Sequence, residues 1–223
     1  MDTRGTERLR LSDIPLFSGV AAADLAALSQ RALVRAYPKN AIIVSEGDRS
    51  DSMFIILAGK VKVFLGDAEG KELILDIKGP GSYFGEMVLD DGTRSASVMT
   101  LEPSQFAILA CTDIKGLLAE HPGIALQLIR NLIRMVRGLN ENVRSLAMLD
   151  VYGRVARVLL ELAAPDGADK LVIADKPTQR DLAARVGASR EMINRILRDL
   201  SAGGYITVES ARIVINKPPP ARW

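Results

Sequence analysis

Several residue types on which protein chemistry often depends are scarce in this sequence. The 223 residues include one cysteine, Cys111, and one histidine, His121. Within one chain, this excludes a disulfide framework, a four-cysteine iron–sulfur cluster and a zinc site built from several Cys and His ligands. A Ser-His-Asp or Cys-His catalytic site would have to use His121. That residue stands in Glu120-His121-Pro122, which is typical of a helix–helix junction. We therefore expect a surface or capping histidine, and a protein that is not an enzyme.

Long hydrophobic runs are also missing. No apolar stretch approaches the roughly 18 residues that a membrane-spanning helix needs, so we expect no membrane association. The first ten residues, MDTRGTERLR, are charged and contain no apolar segment, which predicts no secretory signal and a cytoplasmic location. The composition is 48% hydrophobic and 25% charged, which is typical of globular chains and not of disordered ones. This length suits one or two domains, each with its own core.

Charge is distributed unevenly along the chain. Residues 1–120 carry 13 basic and 17 acidic side chains, whereas residues 121–149 carry four basic and one acidic, and residues 150–223 carry 12 basic and nine acidic. Within residues 176–198 the basic side chains outnumber the acidic ones by six to two. An acidic first part and a basic second part predict different partners, and the basic part suits a polyanion such as nucleic acid.

The first part changes its hydrophobic pattern near Pro38. Residues 12–37 have loosely helical spacing, which predicts a helix there. Beyond Pro38, short apolar and β-branched runs alternate with glycines, as is typical of an antiparallel sandwich or barrel. The predicted strands cover residues 41–44, 53–57, 61–65, 73–77, 95–98 and 105–109.

A long helix is predicted from Pro122 to residue 149. Its apolar residues alternate at spacings of four and three, which is the pattern of a heptad seam, and arginines flank them. Such a seam either joins two parallel helices in a dimer or packs against the chain's own barrel, and its regularity favours the dimer. The seam consists of Ala125, Ile129, Leu132, Val136, Leu139, Val143 and Leu146.

Two short helices are predicted in the basic part, joined by Gly187-Ala188 and followed by a hairpin. Thr178 and Ser189 are candidates for their N-caps. This order predicts a winged helix-turn-helix that binds the DNA major groove, and the alternative is a charged helical hairpin that meets only solvent. Lys176 lies off the predicted DNA-binding face, and if it contacts a phosphate, its replacement should weaken binding to all sequences alike. Arginine, asparagine and glutamate suit guanine, adenine and cytosine, and the face would consist of Arg190, Glu191, Asn194 and Arg195.

Residues 84–97 lie between two predicted strands and have the composition of a phosphate-binding loop. Arg94 would pair with a phosphate, Ser95 would donate its hydroxyl, and Gly85 would allow the backbone to approach closely. Glu86 would accept a hydrogen bond from a sugar hydroxyl. The alternative at this spacing is an ion pair between Glu86 and Arg94 within the chain.

Together these motifs resemble the catabolite activator (cyclic-AMP receptor protein) and fumarate-nitrate regulator family of bacterial transcription regulators. The resemblance extends over residues 12–217 and rests on the cassette at residues 84–96, the junction at residues 146–151 and the segment at residues 187–197. It implies an α+β fold with a cyclic-nucleotide-binding antiparallel β-roll at residues 1–121, a dimerisation helix at residues 122–149 and a C-terminal winged helix-turn-helix at residues 150–223.

The resemblance also implies a ligand site. Cyclic AMP is the first candidate, with cyclic di-GMP and cyclic GMP as alternatives, and no metal or iron–sulfur cluster is implied. The family's cyclic-AMP sensors hold adenine with a Thr-Ser pair, where this chain has Leu139-Asn140; Asn140 can still hydrogen-bond a purine edge. The implied contacts are Gly85 and Glu86 to the ribose, Arg94 and Ser95 to the cyclic phosphate, and Leu75 and Asn140 to the base.

The implied function is a homodimeric transcription regulator. A cyclic nucleotide in the β-roll would reposition the recognition helices on a TGTGA-like palindrome in double-stranded DNA, and RNA polymerase is the expected protein partner. Two alternatives stay open: a regulator that needs no ligand, and a nucleotide-binding module that regulates a partner protein. The implied DNA-binding residues are Thr178, Ser189, Arg190, Glu191, Asn194 and Arg195.

Overall fold

A computed structural model describes residues 11–166 and 170–220 of the chain. The segment from which no secretory signal was expected, residues 1–10, lies outside the described residues, as does part of the loop after residue 165. Contacts divide the chain into two compact units. The first consists of Met1–Gly66 and Leu75–Val136, and the second of Asp67–Ile74 and Arg137–Trp223.

Helices and strands alternate in a mixed order. The α-helices are α1 (Ala22–Arg31), α2 (Cys111–Glu120), α3 (Pro122–Met148), α4 (Val151–Leu162), α5 (Gln179–Val186) and α6 (Arg190–Ala202). The strands are β1 (Leu33–Tyr37), β2 (Ile42–Val44), β3 (Ser52–Ala58), β4 (Val61–Gly66), β5 (Glu72–Lys78), β6 (Tyr83–Phe84), β7 (Ser97–Thr100), β8 (Ser104–Ala110), β9 (Ala164–Pro165), β10 (Leu171–Ile173), β11 (Ile206–Val208) and β12 (Ile213–Ile215). Short 3-10 helices occupy Leu11–Asp13, Pro15–Phe17 and Glu86–Asp90.

The first unit is built on two four-stranded sheets, in the orders β1-β8-β3-β6 and β2-β7-β4-β5. Strand β3 contributes to two apolar clusters, because its successive side chains point to opposite faces of the sheet. Phe54 and Ile56 join an apolar cluster with residues of both sheets, whereas Met53 and Ile55 join a cluster with the helices. This strand is therefore a continuous buried run without polar alternation.

The helix predicted over residues 12–37 is only partly correct. Two 3-10 turns and α1 account for its first two-thirds, but Leu33–Tyr37 form β1, which pairs antiparallel with β8 from Leu33↔Ile108 to Tyr37↔Ser104. Residues 33–37 form a strand because their backbone hydrogen-bonds to β8. The spacing of apolar residues along the chain does not reveal such a long-range pairing.

The second unit contains α4, α5, α6 and a sheet in the order β11-β12-β10-β9. One face of each helix is apolar and lies in a common core with the hairpin β11–β12. The prediction of a winged helix-turn-helix is confirmed, as is the α+β class with an antiparallel N-terminal sheet domain and a long helix. The domain boundaries at residues 121 and 149 stay predictions. No helix among the described residues is both long enough and apolar enough to cross a membrane.

Candidate functional site

The candidate phosphate site begins at Gly85, directly after β6. Gly85 has a φ of +82° and precedes the 3-10 helix Glu86–Asp90. A Cβ at this position would lie 2.6 Å from Nη1 of Arg94 and 3.0 Å from the carbonyl oxygen of Ser52. Both the left-handed backbone and the space therefore require glycine here.

Arg94 is the central side chain of this site and is only 5% exposed. Its Nη1 donates to the carbonyl oxygen of Gly85 at 3.3 Å, and its Nη2 donates to Oγ of Ser52 at 3.5 Å. The nearest carboxylate is Oδ1 of Asp51, at 4.0 Å from Nη2. The ring of Phe54 lies below the guanidinium, 5.7 Å from Cζ to the ring centroid. These contacts are long, so the buried cation is held in place but incompletely compensated.

The charge balance around Arg94 agrees with this geometry. Burial lowers the pKa of its guanidinium below the ordinary value, and the carboxylates of Asp51, Glu86 and Asp48 oppose that shift. Within the described part of the chain, Asp51 and not Glu86 lies at ion-pair distance from Arg94, so the expected alternative of a Glu86–Arg94 ion pair does not form. Asp51 is 90% exposed and stays hydrated, so it neutralises little of the buried charge.

The other predicted ligand contacts occupy varied positions. Glu86 is half-buried in the first turn of its 3-10 helix, and Ser95 is exposed beside Arg94 in the chain. Leu75 is half-buried on β5. Asn140 is exposed on α3 and belongs to the second unit. The structure brings Gly85 and Arg94 into contact with each other. The ligand-binding roles of Leu75, Gly85, Glu86, Arg94, Ser95 and Asn140 stay predictions.

A polar network links the cassette to α3. The buried phenol of Tyr83, two residues before Gly85, accepts a hydrogen bond from Nδ2 of Asn131 at 2.8 Å. Arg134 donates to Oδ1 of the same asparagine. Burial raises the pKa of the Tyr83 phenol, so it stays protonated. This network fixes the strand that leads into Gly85.

The helix-turn-helix has the predicted caps. Oγ1 of Thr178 accepts from the backbone N–H of Asp181 at 3.1 Å, and the Asp181 carboxylate accepts from the backbone N–H of Thr178, which forms a reciprocal capping box. Ser189 accepts from the backbone N–H of Met192 at 3.2 Å and begins α6. Gly187 ends α5 with a φ of +65°, so the turn between the helices depends on glycine.

The predicted DNA-binding face is exposed. Its opposite face is buried and fixes how α6 sits on its own unit. The buried residues are Ile193, Ile196, Leu197 and Leu200, and the exposed ones are Ser189, Arg190, Glu191, Asn194 and Arg195. Hydrogen bonds from its own backbone N–H and from Ser189 lower the pKa of Glu191, which therefore remains an acceptor at neutral pH.

Lys176 has hydrogen-bond partners within its own unit, and a phosphate contact from it stays a prediction. It is half-buried, and its Nζ donates to the carbonyl oxygen of Glu209 at 2.7 Å. Its backbone N–H donates to Ala211 at 3.0 Å, and Arg212 pairs with Glu209 across the same turn at 2.7 Å. Lys176 therefore holds the turn of the hairpin β11–β12.

The sequence did not point to several residues beside Arg94 and on the helix-turn-helix. Ser52, Asp51 and Phe54 lie beside Arg94 but are about 40 positions away in the chain, so no spacing pattern joins them. In the helix-turn-helix, the exposed Met192 on α6 and Gln179 on α5, which hydrogen-bonds Asn194, were also missed. Among the described residues, no group of three or more His, Cys, Asp or Glu side chains is placed to hold a metal ion.

Comparison with known sequences identifies both units. The sequence profile of the cyclic nucleotide-binding domain matches residues 34–121, and that of the Crp-like helix-turn-helix domain matches residues 153–219. The CRP-like cAMP-activated global transcriptional regulator of Mycobacterium tuberculosis (strain ATCC 25618 / H37Rv) is 34% identical over 205 residues, which cover 90% of this chain and 92% of that protein. The cAMP-activated global transcriptional regulator CRP of Escherichia coli O157:H7 is 31% identical over 191 residues, which cover 82% and 89%.

Solved structures share the fold. The Catabolite Activator Protein of Thermus thermophilus is 30% identical with a TM-score of 0.54, and the match covers 90% of this chain and 93% of that one. CLP, described as a c-di-GMP responsive global regulator of Xanthomonas campestris, is 23% identical with a TM-score of 0.75 and coverage of 87% and 99%. At 23% identity, the similarity to CLP shows a shared fold and nothing more. This chain belongs to the Crp/Fnr family, as a Crp-like transcription regulator with a cyclic-nucleotide-binding domain and a DNA-binding helix-turn-helix domain.

Proposed function

We propose that the chain is a homodimeric regulator in which a cyclic nucleotide bound at Arg94 controls binding to a palindromic DNA site. The observation that carries the ligand part is the Arg94 guanidinium, 5% exposed, with acceptors at 3.3 and 3.5 Å and its nearest carboxylate at 4.0 Å. A phosphate oxygen within ordinary hydrogen-bond distance would supply the missing compensation.

Cyclic AMP is the first candidate among the ligands. Two relatives that are 34% and 31% identical are named as cAMP-activated regulators. A single buried guanidinium also matches the single negative charge of a cyclic phosphodiester. Cyclic GMP presents the same phosphate and sugar. Cyclic di-GMP is the other alternative, because CLP of Xanthomonas campestris, which shares the fold, is named as a c-di-GMP responsive regulator.

Dimerisation is assigned to α3. The residues predicted to form its seam include several that are strongly exposed in the single chain, among them Val136 at 55% and Val143 at 64%. An exposed apolar stripe of this length favours association with a second copy of the same helix. Two seam residues are exceptions: Ala125 and Leu132 are half-buried, and Leu132 packs against the core of the first unit.

The second unit of each protomer would bind one half of the DNA site. The exposed arginines, glutamate and asparagine of α6 suit a TGTGA-like half-site in the major groove. Two half-sites one helical turn apart require recognition helices roughly 34 Å apart, and a ligand changes DNA affinity only if it favours the conformation with that spacing. We expect the regulator to act in the cytoplasm and to contact RNA polymerase there.

The test combines two measurements on the purified chain. Isothermal titration with cyclic AMP, cyclic GMP and cyclic di-GMP should give saturable binding of at least one nucleotide. Fluorescence anisotropy with a TGTGA-palindrome duplex should then give tighter DNA binding when that nucleotide is present. DNA binding without any nucleotide binding would contradict the ligand part and favour a regulator with a vestigial pocket. Nucleotide binding without DNA binding would favour a module that regulates a partner protein.

A further inference from the structure

One hydrogen bond joins the two helices of the helix-turn-helix on its exposed side. Nε2 of Gln179, the first residue of α5, donates to Oδ1 of Asn194 on α6 at 3.4 Å. Both side chains are exposed, and Asn194 lies on the DNA-binding face next to Arg195. Gln179 follows the Thr178 capping box, so the backbone from which it extends is held in one conformation.

We propose that Gln179 is a positioning residue for DNA specificity, which orients the amide of Asn194 so that the pair selects adenine over guanine at one base pair. This inference rests on the proposed DNA-binding function and goes beyond it. It assigns a specificity role to a residue of α5, outside the recognition helix.

The hydrogen-bonding groups of the Asn194 amide determine which bases it can match. A free asparagine on a helix surface can rotate its amide and present either its oxygen or its nitrogen at a given point. Gln179 donates to Oδ1 and so favours the orientation in which that oxygen, and not Nδ2, faces α5. Oδ1 keeps a second lone pair, and both hydrogens of Nδ2 stay available.

An amide in this orientation has the pattern that adenine needs. In the major groove adenine offers one donor, N6–H, beside one acceptor, N7, so an amide oxygen and nitrogen match it together. Guanine offers two acceptors, O6 and N7, which call for two donors from one side chain, as arginine supplies. When its rotation is restricted, the Asn194 amide can still form both hydrogen bonds to adenine. It then forms fewer of the alternative hydrogen bonds to other bases.

The neighbouring contacts leave this arrangement undisturbed. Arg198 donates from Nε to the backbone carbonyl of Asn194 at 3.4 Å and not to its amide. Arg190 and Arg195 suit guanines, so they add no preference for an adenine. The Gln179–Asn194 pair therefore supplies a base preference that the arginines of the same face lack.

The experiment is a random-sequence selection with the 223-residue chain, run without nucleotide and with cyclic AMP, cyclic GMP or cyclic di-GMP. Asn194→Ala should reduce adenine preference over guanine at one base pair by about 5- to 100-fold. Gln179→Ala should reduce it at the same base pair by about 2- to 10-fold, since one hydrogen bond is lost. Gln179→Ala should add nothing in the Asn194→Ala background, because the two residues act as a unit.

Two further variants separate positioning from folding. Gln179→Glu can accept but not donate, so it draws the amide nitrogen of Asn194 towards itself and should abolish the adenine preference while α5 stays folded. Arg180→Ala removes the exposed neighbour of Gln179 and is the matched control. It should weaken binding to all sequences alike and leave the selected motif unchanged.

The outcomes distinguish this inference from the function on which it rests. If wild type selects a motif and Gln179→Ala and Gln179→Glu select the same motif with equal preference at every position, Gln179 has no role in specificity. If Gln179→Ala reduces the adenine preference equally in the wild-type and Asn194→Ala backgrounds, the two residues do not act as a pair. If wild type selects no motif without nucleotide or with any of the three nucleotides, the proposed DNA-binding function itself fails, and the inference fails with it.

Discussion

Replacing Arg94 with leucine should separate ligand binding from folding. The guanidinium is 5% exposed and lies over the ring of Phe54. Leucine keeps part of the buried volume and of the apolar contact, but it removes the positive charge, the donors and the guanidinium over Phe54. A nucleotide phosphate that enters this site would then lose its water without gaining a partner.

The size of the effect follows from that geometry. Leaving a buried charge unpaired lowers affinity by roughly 2–5 kcal/mol, or about 30- to 5,000-fold. The free energy of unfolding should change by less than about 1 kcal/mol, for two reasons. The hydrogen bonds that are lost are long, at 3.3 and 3.5 Å, and the partner Asp51 is 90% exposed and needs no counter-charge.

Isothermal titration with cyclic AMP, cyclic GMP and cyclic di-GMP gives the affinities, and urea unfolding gives the stability. Arg35→Leu is the matched control, because it makes the same change of charge at an exposed position on β1. Equal nucleotide affinity of wild type and Arg94→Leu would refute the assignment of the phosphate site. A loss of several kcal/mol of stability would refute the argument that Arg94 is poorly compensated in the folded chain.

Three other changes test separate parts of the molecule. Gly85→Ala places a Cβ 2.6 Å from Nη1 of Arg94 at a φ of +82°, so calorimetry should find nucleotide affinity reduced at least about tenfold, and unchanged affinity would contradict the close approach. Val136→Asp should turn the dimer into a monomer at micromolar concentration in analytical ultracentrifugation, since it sets two carboxylates together in an apolar seam; a persistent dimer would place the interface elsewhere. Arg195→Ala should lower affinity for the selected DNA site by about 1–3 kcal/mol and relax preference at one base pair, and an unchanged motif would remove Arg195 from base recognition.

The parts of the fold that sequence could predict are those with a strong local signal. The glycine-separated runs became the strands of the first unit, and the predicted caps at Thr178 and Ser189 became the caps of α5 and α6. The strand β1 was missed, because its pairing with β8 involves residues about 70 positions away. The two-residue strand β6 was missed too, because so short a run carries no periodicity.

The sequence by itself determined the order of the elements and which face of α6 is polar, because hydrophobic periodicity encodes both within a few residues. It also placed Gly85 and Arg94 in one cassette. Only the tertiary structure decided that Arg94 is buried beside Ser52 and Asp51, and that the carboxylate within reach is not that of Glu86. Such contacts depend on how strands fold back on one another. The spacing of residues along the chain carries no record of them.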